Sequence, residues 1–264
     1  MRRGVRRGVY LLPSILTIGN LFCGFYAIIA IYKNDYSKAA LAIIIALVVD
    51  FLDGAVARIA KATSDFGVEL DSLADLVSFG VAPGMLAYVF AMRPFGRIGW
   101  LAAFLFAACG ALRLARFNTQ TKKLDKRHFV GLPIPAAAGM IASSVLLLGD
   151  TPSLVIFEAQ VLSPELTSAL MVVLVAATAF LMVSKVRYRS LKEIDITRRR
   201  PMTVLITLLL ATLIVALEPT LLLFGFFFLY ALSGFLRYLP FGRKRLLLDL
   251  GDELELTPGE PRFP

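Results

Sequence analysis

Residues 38–92 read KAALAIIIALVVDFLDGAVARIAKATSDFGVELDSLADLVSFGVAPGMLAYVFAM. Two apolar runs, 38–58 and 68–92, flank a short polar link. A helix needs about 20 mostly apolar residues to cross the hydrocarbon core of a bilayer, and both runs supply them. The same pattern continues on either side, at 12–32, 98–117, 130–149, 165–185, 202–217 and 219–238. The spacing predicts an all-α, polytopic membrane bundle of about eight transmembrane helices. Pro13, Pro201 and Pro219 are expected near helix starts, where a missing N–H costs little. The first run leads directly into a second rather than into a small-residue cleavage site, so it reads as a span and not a signal peptide.

Composition agrees. Of 264 residues, 58% are hydrophobic and 18% charged, and the mean hydropathy is +0.76. Soluble domains are about 45–50% apolar and about 25% charged. The two cysteines, Cys23 and Cys109, lie in apolar runs, which argues against a zinc cluster or a disulfide framework. The net charge of +9 is explained by placement. With the N-terminus in the cytoplasm, eight spans return the C-terminus there. All but Lys33, Lys38, Arg93 and Arg97 of the 28 Lys and Arg then fall on the cytoplasmic side. That is the positive-inside pattern of an inner-membrane protein, with basic loops facing anionic head groups rather than nucleic acid.

The unusual residues are Asp50, Asp53, Asp71 and Asp75, within or at the ends of the second and third runs. An Asp at a span centre costs about 2.5–3.5 kcal/mol, and clustered like charges need a compensating partner. Asp50 and Asp53 are three apart, Asp71 and Asp75 four apart, so each pair shares one helix face. A short cytoplasmic link makes the two helices antiparallel neighbours, with the pairs able to face each other. Four carboxylates match the charge of two divalent cations, and oxygen-only donors favour Mg²⁺, Mn²⁺ or Ca²⁺ over zinc. Two such ions form a clamp suited to displacement at phosphorus. Two other readings stand beside this one: helix-end acids pairing with Arg58 and Lys61, and a cation or proton path of a transporter. The near absence of ionisable groups in the outer halves of the spans speaks against a path.

From Asp50 to Asp75 the sequence follows D-x2-D-G-x2-A-R-x8-G-x3-D-x3-D. This resembles the signature of the CDP-alcohol phosphotransferases, membrane enzymes that move a phosphoryl-containing group from a CDP-activated lipid to an alcohol. LPSILTIGNLFCGFYAI (12–28), SFGVAPG (78–84), RLARFN (113–118) and GLPIPAAAG (131–139) are similar to the bacterial and archaeal branch whose acceptor is L-serine. The resemblance implies CDP-diacylglycerol and L-serine as substrates, with glycerol 3-phosphate or an inositol phosphate as the alternative acceptors. It implies a six-span catalytic domain over 1–200, two additional spans in 201–239 and a cytoplasmic tail, 240–264. It also implies a homodimer.

The resemblance further implies roles. Asp50, Asp53, Asp71 and Asp75 would hold two divalent cations, and Asp75 would also be the general base. Gly54, Ala57, Arg58, Ser64 and Gly67 would contact the nucleotide and diphosphate, and Thr17 and Asn20 would line the CDP-lipid site. For Arg58 the residue type agrees, because a guanidinium fork matches a diphosphate. Gly54 costs its helix about 1 kcal/mol against Ala, so a close approach is expected there. Arg113, Arg116 and Asn118, at the cytoplasmic end of the fourth run, are candidates for the serine pocket. Phe224, Phe226, Phe227 and Phe228 are expected to face lipid, and His128 to lie in a basic loop.

Overall fold

The computed structural model describes residues 3–60, 64–120, 128–149, 154–156, 159–184, 186–189 and 219–236. The chain is nearly all helical. Helix α1 spans Arg3–Tyr32 and α2 Tyr36–Ala60. The third span starts as α3, Asp65–Asp75, and continues through α4, Ala82–Ala87, to Phe95. Then come α5, Arg97–Gln120, α6, Ile134–Leu148, α7, Pro164–Val183, and α8, Pro219–Leu236. Among the described residues, five helical stretches are long and apolar enough to cross a membrane: Ser14–Tyr32, Tyr36–Val56, Phe66–Phe95, Arg97–Thr119 and Pro164–Val183. This makes the chain a multi-pass membrane protein. Ile134–Leu148 and Pro219–Gly234 are shorter apolar helices. The expected run at 202–217, with Pro201, lies outside the described residues, as does the tail.

Local chemistry sets the turns. Asn34 adopts a left-handed conformation, φ 59°, and ends α1; Asn tolerates this region better than most residues. Asp35 then accepts the Lys38 amide at 3.2 Å and starts α2. The Lys38 ammonium, 2.6 Å from Asp35 Oδ2, and the same amide hold this exposed carboxyl below its ordinary range. At the other end of α2, Ser64 caps α3 by accepting the Gly67 amide at 3.0 Å.

Three expectations of the sequence need correction. Pro13 does not mark a helix start but lies inside α1, which begins ten residues earlier at Arg3. A proline inside a membrane helix is tolerated where neighbouring groups satisfy the freed backbone. The fifth span begins at Ile134 rather than 130. Residues His128–Val130 form a strand, β1, and Gly131, φ 85°, turns the chain before Pro133. The third span is not regular. It winds as π-helix over Leu76–Val81 and Tyr88–Met92. Pro83 has no N–H to give to an α-helical ladder, and just before it the Ala82 amide reaches the Val77 carbonyl, five residues back.

Besides β1, the described residues hold three more short strands: β2, Leu154–Ile156, β3, Ala159–Leu162, and β4, Arg187–Arg189. Two antiparallel pairs form, β2 with β3, and β1 with β4 in the register His128–Arg189. The Gly131 amide donates to the Val186 carbonyl at 2.8 Å, tying the start of α6 to the end of α7.

Helix α1 packs along α2, α5 along α7, and α6 along both α2 and α8. The core between them is built largely of Ala, with Ile43, Phe79, Leu86, Phe106 and Ile141 fully enclosed. Small residues let helices approach closely where lipid gives no hydrophobic drive for association. Gly80 and Gly110 meet across the third span and α5, and a Cβ on Gly110 would strike the Ile134 side chain. Of the phenylalanine run, Phe226 and Phe228 are exposed as expected, but Phe227 points inward and its ring lies against Gly139 of α6.

Candidate metal and phosphotransfer centre

The acids meet between the C-terminal half of α2 and the last turns of α3. Carboxylate oxygens of Asp50, Asp71 and Asp75 all lie within 4.8 Å of one another. Asp50 reaches in from α2, and the other two come from successive turns of α3. Asp53, one turn beyond Asp50, is 5% exposed and is oriented by α1: Thr17 Oγ1 donates to its Oδ2 at 2.6 Å. Asp71 interacts electrostatically with Asp53, and Asp75 with both Asp50 and Asp71. The two pairs therefore face each other, as their spacing predicts.

The first helix supports both faces. Thr17 and Asn20 sit one turn apart on α1, both buried. Asn20 Nδ2 donates to Asp75 Oδ1 at 3.0 Å. The Asn20 backbone is held in turn by Ser78, whose hydroxyl donates to its carbonyl at 2.9 Å. Ser78 belongs to the π-helical stretch directly after Asp75, and Gly24 of α1 lets the helices touch at that point. Thr17 and Asn20, expected along the CDP-lipid, thus take the acids themselves as partners.

The donor set tests whether a divalent cation fits. It is all oxygen, as hard cations require. Among the described residues, Asp53 Oδ1 and Asn20 Oδ1 are buried without a hydrogen-bond partner. Unmet acceptors beside a ring of carboxylates are costly unless a cation satisfies them. The residues fit the group.

Around the acids the other candidates divide. Gly54 is half-buried on α2 next to Asp53. Ala57 and Arg58 lie on the last turns of the same helix, and their side chains are outside the described part. Ser64 and Gly67 satisfy each other at the start of α3. On α5, Arg113 interacts electrostatically with Asp75, and its Nε is buried without a hydrogen-bond partner among the described residues. Asn118 Nδ2 donates to Ser72 Oγ at 2.9 Å, one residue from Asp71. Arg116 is half-buried, and its carbonyl accepts the Thr119 hydroxyl at 3.0 Å. His128 contributes backbone to β1.

Gly24, Ser72 and Ser78 were not singled out from the sequence, although Ser78 follows Asp75 by three residues and Gly24 follows Asn20 by four. That is helical spacing on the faces already picked.

A sequence model described as CDP-alcohol phosphatidyltransferase matches residues 10–164. The chain is 37% identical over 231 residues to a Helicobacter pylori protein named CDP-diacylglycerol–serine O-phosphatidyltransferase, covering 88% of this chain and 92% of that one. A Bacillus subtilis protein of the same name is 37% identical over 182 residues, or 69% of this chain and 92% of the relative. A third, from Methanocaldococcus jannaschii, is 37% identical over 183 residues, 69% of this chain and 75% of the relative.

Proposed function

The chain belongs to the CDP-alcohol phosphatidyltransferase family, and on that premise we propose that it transfers the phosphatidyl group of CDP-diacylglycerol to L-serine, releasing CMP. The observation that carries this reading is the convergence of Asp50, Asp71 and Asp75 within 4.8 Å. The names of the relatives support the acceptor.

In the proposed reaction the serine hydroxyl attacks the phosphorus that bears the diacylglycerol. The bond from that phosphorus to the bridging oxygen breaks, and CMP departs with the bridging oxygen. Asp75 takes the hydroxyl proton, since a base must lie within hydrogen-bond reach of the group it deprotonates. Asn20, donating to one oxygen of Asp75, leaves the other for that proton. Asp50, Asp53, Asp71 and Asp75 would hold two divalent cations, Mg²⁺ or Mn²⁺ with Ca²⁺ as a further candidate. When bound, these ions offset charge developing on the diphosphate oxygens. Arg58 forks onto the diphosphate, and Gly54, Ala57, Ser64 and Gly67 keep the nucleotide's approach open. Thr17 fixes Asp53, while Arg113, Arg116 and Asn118 border the acceptor.

The positive-inside asymmetry supports an inner-membrane protein with both termini and the site on the cytoplasmic face. The proposal keeps residues 1–200 as the catalytic unit, 201–239 as two added spans and 240–264 as a tail. Family resemblance supports a homodimer.

The test is direct. Purified protein is given CDP-diacylglycerol with L-serine, glycerol 3-phosphate or inositol phosphate, and CMP is measured. Release with L-serine alone is expected. Release with another alcohol but not with L-serine refutes the acceptor, and metal flux in liposomes without CMP production refutes the enzyme. Arg58→Lys tests the diphosphate contact, since it keeps charge but loses the two-pronged geometry. Its KM for CDP-diacylglycerol should rise about tenfold, the scale of one charge-assisted hydrogen bond. An unchanged KM would remove Arg58 from the diphosphate.

A further inference from the structure

Asp53 and Asp75 are each tied to α1 by a side-chain hydrogen bond, from Thr17 and from Asn20. For Asp71 the tie runs one residue along the chain. Asn118 lies in the last turn of α5. Its Nδ2 donates to Ser72 Oγ at 2.9 Å, and the Ser72 hydroxyl donates in turn to the Val68 carbonyl at 3.0 Å. The one proton of Ser72 is thereby spent on its own helix, and its lone pairs are left to accept from α5.

This tie matters because α3 is otherwise loosely enclosed. It rests on α1, while α5 packs along α7 and the π-helical stretch Leu76–Val81. Phe66, Val68 and Leu73 of α3 are exposed, so packing does little to fix how this helix is turned about its axis. The α5 contact fixes it at two points. A Cβ on Gly110 would lie 3.9 Å from Gly80 Cα, and eight residues further along each antiparallel helix Asn118 meets Ser72. Eight residues of α-helix span about 12 Å, so the two attachments are in register, and Asp75 lies between them. Consecutive residues are about 100° apart around a helix. With Ser72 held on α5, Asp71 is turned toward Asp50 and Asp75, and the three carboxylates come within 4.8 Å of one another.

We infer that Asn118, acting through Ser72, is a positioning residue for the metal centre: it fixes the rotation of α3 and with it the placement of Asp71. This rests on the metal-site reading of the acids. Groups around a metal ligand act by holding its donor atoms where an ion needs them, and here the hold is applied to the residue next to the ligand. Asn118 thus has a task besides bordering the acceptor, and Ser72, which no nucleotide or acceptor contact claims, is part of it.

The experiment measures Mn²⁺ binding to the purified full chain, through the electron paramagnetic resonance of the free ion, beside steady-state kinetics in L-serine. Ser72→Ala removes the acceptor of the bond, and alanine suits a helix better than serine. Its Mn²⁺ affinity should fall about tenfold, the low end for losing a group that orients a metal ligand, with the KM for L-serine at saturating Mn²⁺ moving less than about twofold. Asn118→Ala should lower Mn²⁺ affinity by a like factor and the double variant no further, because all three break one bond. Unchanged Mn²⁺ affinity in Ser72→Ala overturns the inference, even where the melting temperature falls, since that marks a packing tie alone. Losses that multiply in the double variant overturn it as well. So does a higher KM for L-serine in Asn118→Ala with Mn²⁺ affinity unchanged, which leaves Asn118 a ligand of the acceptor. If Asn118→Ala does not fold, Ser72→Ala decides by itself. Failure of the metal-site reading looks different, because the unaltered protein then binds no Mn²⁺ in the same titration.

Discussion

Asp71→Asn should lose more than about a hundredfold in CMP release, the scale for deleting one group that stabilises transition-state charge, while becoming more stable without metal. Both effects have one cause. Asp71 lies within 4.8 Å of Asp50 and Asp75 and interacts electrostatically with Asp53. Without a counter-ion these carboxylates repel, so neutralising one relieves the cluster. With a divalent cation the same charge is needed for binding. The unaltered protein should therefore melt at a higher temperature as Mg²⁺ or Mn²⁺ is added, by the mass-action stabilisation of a ligand that binds only the native state. The variant should start higher and respond little. Thermal melting across a metal titration, alongside CMP release, reads both. If Asp71 only ends a helix, the cost stays near that of a lost cap, about 1 kcal/mol, and the metal response is retained. That outcome would falsify the assignment of Asp71 to the ions. Chelation of the unaltered protein should reproduce the activity loss of the variant and be reversed by adding the ion back.

How much of this was legible depends on how rare a residue is in its setting. Acids inside apolar runs are so costly that four at helical spacing announce a site, and the structure brings Asp50, Asp71 and Asp75 together as the spacing predicts. Hydropathy placed the helices at 36–60, 97–120, 164–183 and 219–236 to within a few residues. Among the supports, Thr17, Asn20 and Asn118 were named as candidates, but Gly24, Ser72 and Ser78 were not, because Ser and Gly are ordinary at membrane helix contacts. Nothing local separates Ser78, which anchors Asn20, from Ser143, which bonds the Met140 carbonyl of its own helix. The π-helical stretches and the β1–β4 pair were also missed. Hydropathy counts residues per span but does not register one extra residue in a turn, and a three-residue strand is shorter than any period it could display. The seating of α8 against α6 and β4 was hidden for a third reason, because it is a long-range arrangement that no window of the sequence contains.

Two glycines on α1 separate positioning from mere helix quality. Alanine is worth about 1 kcal/mol over glycine inside a helix, so Gly19→Ala should be neutral or stabilising. Its new Cβ would meet only Val49 Cγ1, at 3.7 Å, an ordinary contact. Gly24→Ala has the same local gain and the opposite surroundings. Its Cβ would lie 2.6 Å from Ser78 Cα and 2.9 Å from Ser78 Cβ, and closer still to the hydroxyl. Overpacking of this kind costs about 1–3 kcal/mol, and here the strain is relieved by parting α1 from the third span. That movement draws Asn20 away from Asp75, whose hydrogen bond depends on the same helix contact. Gly24→Ala should therefore melt several degrees lower and lose about ten- to a hundredfold in kcat, as when a group orienting a metal ligand is removed. Its KM for CDP-diacylglycerol should change little. Melting curves and initial rates for the two variants, measured side by side, provide the comparison. Equal behaviour would mean that α1 is not what holds Asp75. Adding Ser78→Gly to Gly24→Ala should recover only part of the stability, since Ser78 Cα remains in the way, and none of the rate, since the donor to Asn20 is then gone.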